Sequence, residues 1–150
     1  MDINRKYLSP CGMYCGVCSI RAADRDKDQD LKNKLASFFG TKPENIACEG
    51  CRSEKTFQFA HGCAIRACAN EKDLEGCYEC GDFPCNHFKA FPIEIAKPGM
   101  LAAIPRWREL GTEQWVAETE KRFTCPHCGS LLHRHATLCG HCQKPVEFNQ

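Results

Sequence analysis

A chain of 150 residues supports one or two small domains and only a modest hydrophobic core. Its 14 cysteines, about nine per cent of the chain, approach the level at which disulfides or metals take over from that core. The formal charge of +1 excludes little as a total, but no stretch approaches the roughly 18 apolar residues of a membrane span, and residues 1–7 hold no secretory apolar run. The expected setting is a reducing cytoplasm, where dense cysteines mean metal rather than disulfide.

In chain order, the first feature is Cys11-Gly12-Met13-Tyr14-Cys15-Gly16-Val17-Cys18, a C-x3-C-x2-C run. That spacing holds the [4Fe–4S] cluster of radical enzymes that use S-adenosylmethionine. Such enzymes resemble full or partial (β/α) barrels, typically about 250 residues long, and no alternation of strand and helix signals is visible here. A non-catalytic cluster stays open as the alternative cofactor, since thiolates suit both iron–sulfur and zinc. The alternating charges of Asp24 to Asp30 read as a solvated helix face or loop, lacking the Gly and terminal Glu of a calcium loop. Leu31, Leu35, Phe38 and Phe39 then stand at i, i+4, i+7 and i+8, an amphipathic helix closed by Gly40.

Cys48, Cys51, Cys63, Cys68, Cys77, Cys80 and Cys85 complete a block of ten cysteines, with His61 and His87 close by. Two four-coordinate sites fit this inventory with cysteines to spare; three fit if both histidines join. One economical partition places Cys48, Cys51, Cys63 and Cys68 around one ion. The second ion then draws on Cys15, Cys18, Cys77 and Cys80, with Cys11 and Cys85 as alternatives. Cross-braced pairing is equally open. A single cysteine is most simply a small buried hydrophobe, but ten within 75 residues make that explanation implausible for the set.

Asn86 to Thr124 is free of cysteine and reads mostly as helix, interrupted by Pro98-Gly99 and Pro105. Thr112 is expected to N-cap a segment carrying Glu113 in its first turn and Trp115, Thr119 and Phe123 on one face. Arg106-Trp107-Arg108 reads as one buried aromatic between two solvated arginines rather than a nucleic-acid contact.

The chain closes with Cys125-Pro126-His127-Cys128-Gly129 and Cys139-Gly140-His141-Cys142. Two cysteines separated by two residues can turn both sulfurs onto one tetrahedral ion about 2.3 Å away. Gly129 can take the left-handed conformation that lets backbone N–H groups face the sulfurs. Ser130 to His135 is about right for a short hairpin, and the pattern over residues 123–148 resembles a zinc ribbon. Both knuckles mimic thioredoxin-type redox motifs, but the strand before and long helix after are missing. His127, His133, His135 and His141 read as ribbon surface, since four cysteines already close the site. Lys121, Arg122, Arg134 and Lys144 against Glu147 alone give a basic tail, yet an ion bound by four thiolates carries about −2 and largely cancels it.

Four motifs in joint order, Ser-Pro-Cys-Gly-Met-Tyr-Cys-Gly-Val-Cys, Ala-Cys-Glu-Gly-Cys, Cys-Ala-Ile-Arg-Ala-Cys-Ala and Gly-Cys-Tyr-Glu-Cys-Gly-Asp-Phe-Pro-Cys, resemble the cysteine-rich domain of unknown function 3795. The likeness spans residues 8 to about 92. It implies metal binding, in a family of bacteria and archaea, and adds no reaction.

The sequence thus predicts an α+β protein: a mainly helical cysteine-rich metal domain over 1–120, including a helical linker at 93–120, and a short β zinc ribbon over 121–150. Two to four zinc ions are expected, with one [4Fe–4S] cluster in the first block as the alternative. No phosphate loop, catalytic triad or H-E-x-x-H is present, and cysteine-saturated sites lack the open position a catalytic zinc needs, so the reading leans away from an enzyme. An interaction or regulatory module is expected, with a protein partner before a nucleic acid and no membrane. Electron transfer, redox sensing and metal handling are the alternatives.

Overall fold

The computed structural model describes residues 2–148, so the outermost positions of both expected domains, 1 and 149–150, lie outside the described residues. Seven helices follow one another among those residues: α1 (Ser19–Arg25), α2 (Gln29–Phe39), α3 (Gln58–His61), α4 (Ala64–Glu71), α5 (Asn86–Lys89), α6 (Lys97–Leu110) and α7 (Thr112–Arg122). Short 3-10 turns punctuate the cysteine loops.

The expected α+β class is overturned. Half the chain is helix and the described residues contain no strand. Only two isolated antiparallel bridges occur, Thr124 with Leu131 and Leu138 with Pro145. The physical reason lies in what pairs with what. The segment between the knuckles does not fold back on itself as a hairpin; each C-x2-C knuckle is instead pinched shut by its own flanks. Cys125 N–H donates to Ser130 O at 2.8 Å and Leu132 N–H to Phe123 O at 2.8 Å; Cys139 N–H donates to Lys144 O and Val146 N–H to Thr137 O, both at 3.0 Å. With the backbone turning around sulfur every few residues, no run is long enough to become a strand.

The main core gathers around α6 and α7. Met100, Ile104 and Trp107 recur along one face of α6 and are fully buried. Trp107 stacks on Trp115 of α7, ring centroids 4.1 Å apart and planes 8° from parallel. Tyr14 meets Trp115 edge-on and Tyr78 packs on Trp107, so two cysteine loops are seated on this aromatic column.

The prolines do not interrupt this helix, contrary to expectation. Pro98 falls in the first turn, where its missing N–H has no partner to lose. Pro105 leaves only the carbonyl of exposed Leu101 without its helical donor, on the solvent side. Burial of the opposite face outweighs that cost. Nor does Thr112 cap α7: Gly111 takes the cap position with φ +76°, and Thr112 is the first helical residue. Its hydroxyl accepts from Trp107 Nε1 at 3.0 Å and donates to Glu75 Oε2 at 2.6 Å, tying α6 to the cysteine loops.

A second cluster holds Ala23, Ala36, Ile46 and Phe57 between α1 and α2. Asp28 caps α2 by accepting from Leu31 N–H at 3.0 Å, and Gly40 closes it in the left-handed conformation. Leu31, Leu35 and Phe39 pack inward, whereas Phe38 is 66% exposed and leaves the expected apolar face. Asp24 is not merely solvated: its carboxylate takes Cys48 N–H at 3.2 Å and the Lys32 ammonium at 3.3 Å.

Candidate metal centre

The third cluster is built around sulfur. Cys125, Cys128, Cys139 and Cys142 place their Sγ atoms within 4.8 Å of one another. Cys125 to Cys142 is 3.8 Å and Cys128 to Cys139 is 3.7 Å. Four sulfurs at 2.3 Å from a tetrahedral ion stand about 3.8 Å apart, so the spacing matches one ion at the centre. Cys139 and Cys125 are buried beside Leu132, Ala136 and Val146, while Cys128 faces solvent.

Local backbone explains the convergence. Gly129, at φ +78°, returns its N–H to Cys125 O at 2.9 Å, as its type predicts. The second knuckle performs the same turn with Gln143 at φ +58°, whose N–H reaches Cys139 O at 2.9 Å. A non-glycine in that conformation carries no sequence signal; the Gln143 amide offsets the strain by donating to Gly140 O at 2.8 Å.

The electrostatics suit thiolates. Ser130 Oγ lies 3.3 Å from Cys128 Sγ, and the Ser130 side chain and backbone, with further hydrogen bonds from His141 and Cys139, bring Cys128 down to about 5. Against a lowering backbone bond at Lys144, burial and the hydrogen bonds shared with Cys139, Cys128 and Cys125 push Cys142 up to about 11. Without a cation, four crowded sulfurs cannot all be charged; a divalent ion removes that penalty.

His127, His135 and His141 are exposed, and half-buried His133 sets Nδ1 3.2 Å from Ser19 Oγ at the start of α1. With Arg134 N–H donating to Val17 O at 2.7 Å, this seats the C-terminal knuckles on the first cysteine loop. Tyr14 O–H reaches Glu120 Oε1 of α7 at 2.8 Å in the same region.

The ten earlier cysteines group differently from the economical partition. Cys48 and Cys51 sit against the first loop: Cys51 N–H donates to Cys15 Sγ at 3.3 Å, and burial, then Cys18, Cys51 and Cys48, push the Cys15 thiol well up. Gly50 N–H points to Cys48 Sγ at 3.4 Å. Cys68 lies apart from them, in a groove with Cys77, Cys80 and Cys85. Cys11, held by Ser9 Oγ at 3.1 Å, and Cys63 fall between these groups. Among the described residues no three of the ten bring their sulfurs within 4.8 Å of one another. His61 bonds Thr56 Oγ1 at 3.2 Å, and His87 lines the groove.

Sequence reasoning missed the arginines. Arg21 donates to Cys15 O and Gly16 O, both at 2.8 Å; Arg66 to Cys51 O at 2.8 Å; Arg108 to Tyr78 O at 2.7 Å and Cys80 O at 3.0 Å. Arg52 gathers the carbonyls of Leu8, Leu74 and Glu75. Arg108, exposed as expected, also tethers a cysteine knuckle, whereas Arg106 pairs with Glu109 and Glu118. Guanidinium forks fix the turns that carry the sulfurs and bring positive charge to them.

Fold and site define a helical, cysteine-rich protein with a tetracysteine cluster able to hold a metal ion. The family model of the protein of unknown function DUF3795 matches residues 7–90, more than half the chain, and the chain belongs to that family. The C-terminal cluster lies beyond the matched region. No curated protein and no solved structure matches the chain. No described helix is long and apolar enough to cross a membrane.

Proposed function

We propose that this protein is a non-catalytic, metal-stabilised interaction module, in which Cys125, Cys128, Cys139 and Cys142 hold one zinc ion in a ribbon-like pair of knuckles. The spacing of 3.7 to 3.8 Å between sulfurs carries the reading, because it is the spacing four thiolates adopt around a single zinc. Zinc fits the donor set: four soft thiolates on one ion leave no open position for substrate or water. The ten N-terminal cysteines add further thiolate ligation that substitutes for a larger apolar core. A protein partner suits the surface better than nucleic acid, since the Arg134 guanidinium of the basic tail is half-buried over the Phe123 ring and Arg106 is neutralised by two glutamates.

The test is metal analysis of the purified full chain. About one zinc per chain that is lost on replacing Cys128 or Cys139 supports the reading, with the knuckles unfolding when a strong chelator removes it. Zinc that leaves readily to a mild chelator with the fold intact indicates metal handling instead. Binding to nucleic acid that weakens steeply with salt overturns the choice of partner.

A further inference from the structure

We propose that the groove lined by Cys68, Cys77, Cys80 and Cys85 is a separate thiolate centre that takes an iron–sulfur cluster, an assignment that rests on the metal reading above and extends it to a second site. The four cysteines come from three neighbouring pieces of chain. Cys68 lies on α4, Cys77 opens the 3-10 turn at Cys77–Glu79 that Cys80 closes, and Cys85 stands just ahead of α5. They line one cavity of about 310 Å³ shared with the apolar Ile65, Phe83 and Phe88 and with the polar Lys72, Asp82 and His87.

Two observations separate this groove from the C-terminal cluster. The first is spacing. The C-terminal sulfurs already stand where one ion would hold them, whereas among the described residues no three groove sulfurs come within 4.8 Å of one another. A polynuclear cluster spreads its cysteines wider than one ion can, and it needs the room this cavity offers. The second is charge. The Lys72 ammonium lies 3.7 Å from Cys80 Sγ while also pairing with the Asp82 carboxylate at 3.3 Å, and Arg108 binds the carbonyls of Tyr78 and Cys80. Hydrogen bonds and cations beside cysteine sulfur stabilise an anionic thiolate-bound cluster and tune it. Exposed His87 lines the same groove.

The experiment is anaerobic purification of the full chain, with iron, acid-labile sulfide and zinc measured together and iron X-ray absorption recorded. The expected result is iron and sulfide in equal amounts, brown absorbance and iron–iron scattering, alongside one zinc. Cys77→Ser with Cys80→Ser should remove the iron and sulfide and keep the zinc; Cys128→Ser should do the reverse. Lys72→Met, which leaves all ligands in place, should lower the cluster's reduction potential without changing iron content. Iron–iron scattering needs no variant, so a misfolded double mutant does not blunt the test. Colourless protein with no iron, or with zinc in the groove, overturns the cluster, and iron unchanged in the double variant overturns these ligands. Loss of zinc alone from the wild type sinks the C-terminal reading and leaves this one standing.

Discussion

Cys139→Ser tests the tetracysteine cluster most directly, because Cys139 is fully buried and the variant changes a single atom. A structural zinc in a small module contributes about 10–16 kcal/mol of combined binding and folding free energy. One of four equivalent thiolates then accounts for about 2.5–4 kcal/mol, which is roughly 10²- to 10³-fold in zinc dissociation constant. The apolar side chains packed with it cannot compensate. Leu132 and Val146 are the larger ones, and each contributes about 1.5–3 kcal/mol on burial. Competition titration with a chromophoric chelator should show the weakened affinity. Hydrogen exchange should show protection lost across residues 124–146, while α6 and α7 keep theirs because the Trp107–Trp115 column is built without these sulfurs. As a control, Leu132→Ala should cost about 2–3 kcal/mol and leave zinc affinity nearly unchanged. A Cys139→Ser protein that binds zinc within threefold of wild type and retains that protection would refute the assigned site.

Trp107→Ala should destabilise the chain by about 3–5 kcal/mol in urea melts, through the lost stack on Trp115 and the lost bond to Thr112; a loss below 1 kcal/mol would show that the column is not the core. Gly50→Ala should cost at least about 1–3 kcal/mol, because φ is +124° there and a Cβ would run into the Lys6 carbonyl; unchanged stability would mean that the Cys48–Cys51 knuckle is built differently. For pH, burial first, then the hydrogen bond and charge of Glu120, raise the Tyr14 phenol above its ordinary 10.0. The folded chain therefore holds a proton that the unfolded chain releases, so this contribution is intact below pH 10 and is lost as pH rises beyond it. Denaturant midpoints should fall above that pH, and Tyr14→Phe should flatten the fall; an equal slope in both proteins would remove Tyr14 as the cause.

The tetracysteine cluster was legible in the sequence because its geometry is local. Each C-x2-C turn brings two sulfurs together within four residues, and Gly129 marked the first knuckle. The strands expected beside it were not real, because strand pairing depends on how far two flanks run together, which spacing does not encode. Prolines misled for a similar reason. Pro98 and Pro105 are breakers by local chemistry, yet the buried Met100, Ile104 and Trp107 face decides the helix, and that face gains its partners from α7. The partition of the ten earlier cysteines was least legible of all. Cys68 parts from Cys63 because five helical positions turn their side chains to different sides of α4, and nothing in the C-x4-C spacing reports which loop each side will meet.

The arginines supply the step that spacing could not. Among the described residues Arg21, Arg52, Arg66 and Arg108 enter no ion pair with a carboxylate, and each binds backbone carbonyls instead. Half-buried Arg134 adds another cation near Cys18, Cys11 and Cys15. Arg21 is buried and Arg52, Arg66 and Arg134 are half-buried, and beside neutral thiols such guanidinium charges are offset only by the dipoles they bind. Beside a thiolate-bound ion or cluster, which is anionic, the same placement is favourable. On the proposed reading, sulfurs held ionised by a metal would account for where Arg21 and Arg134 sit.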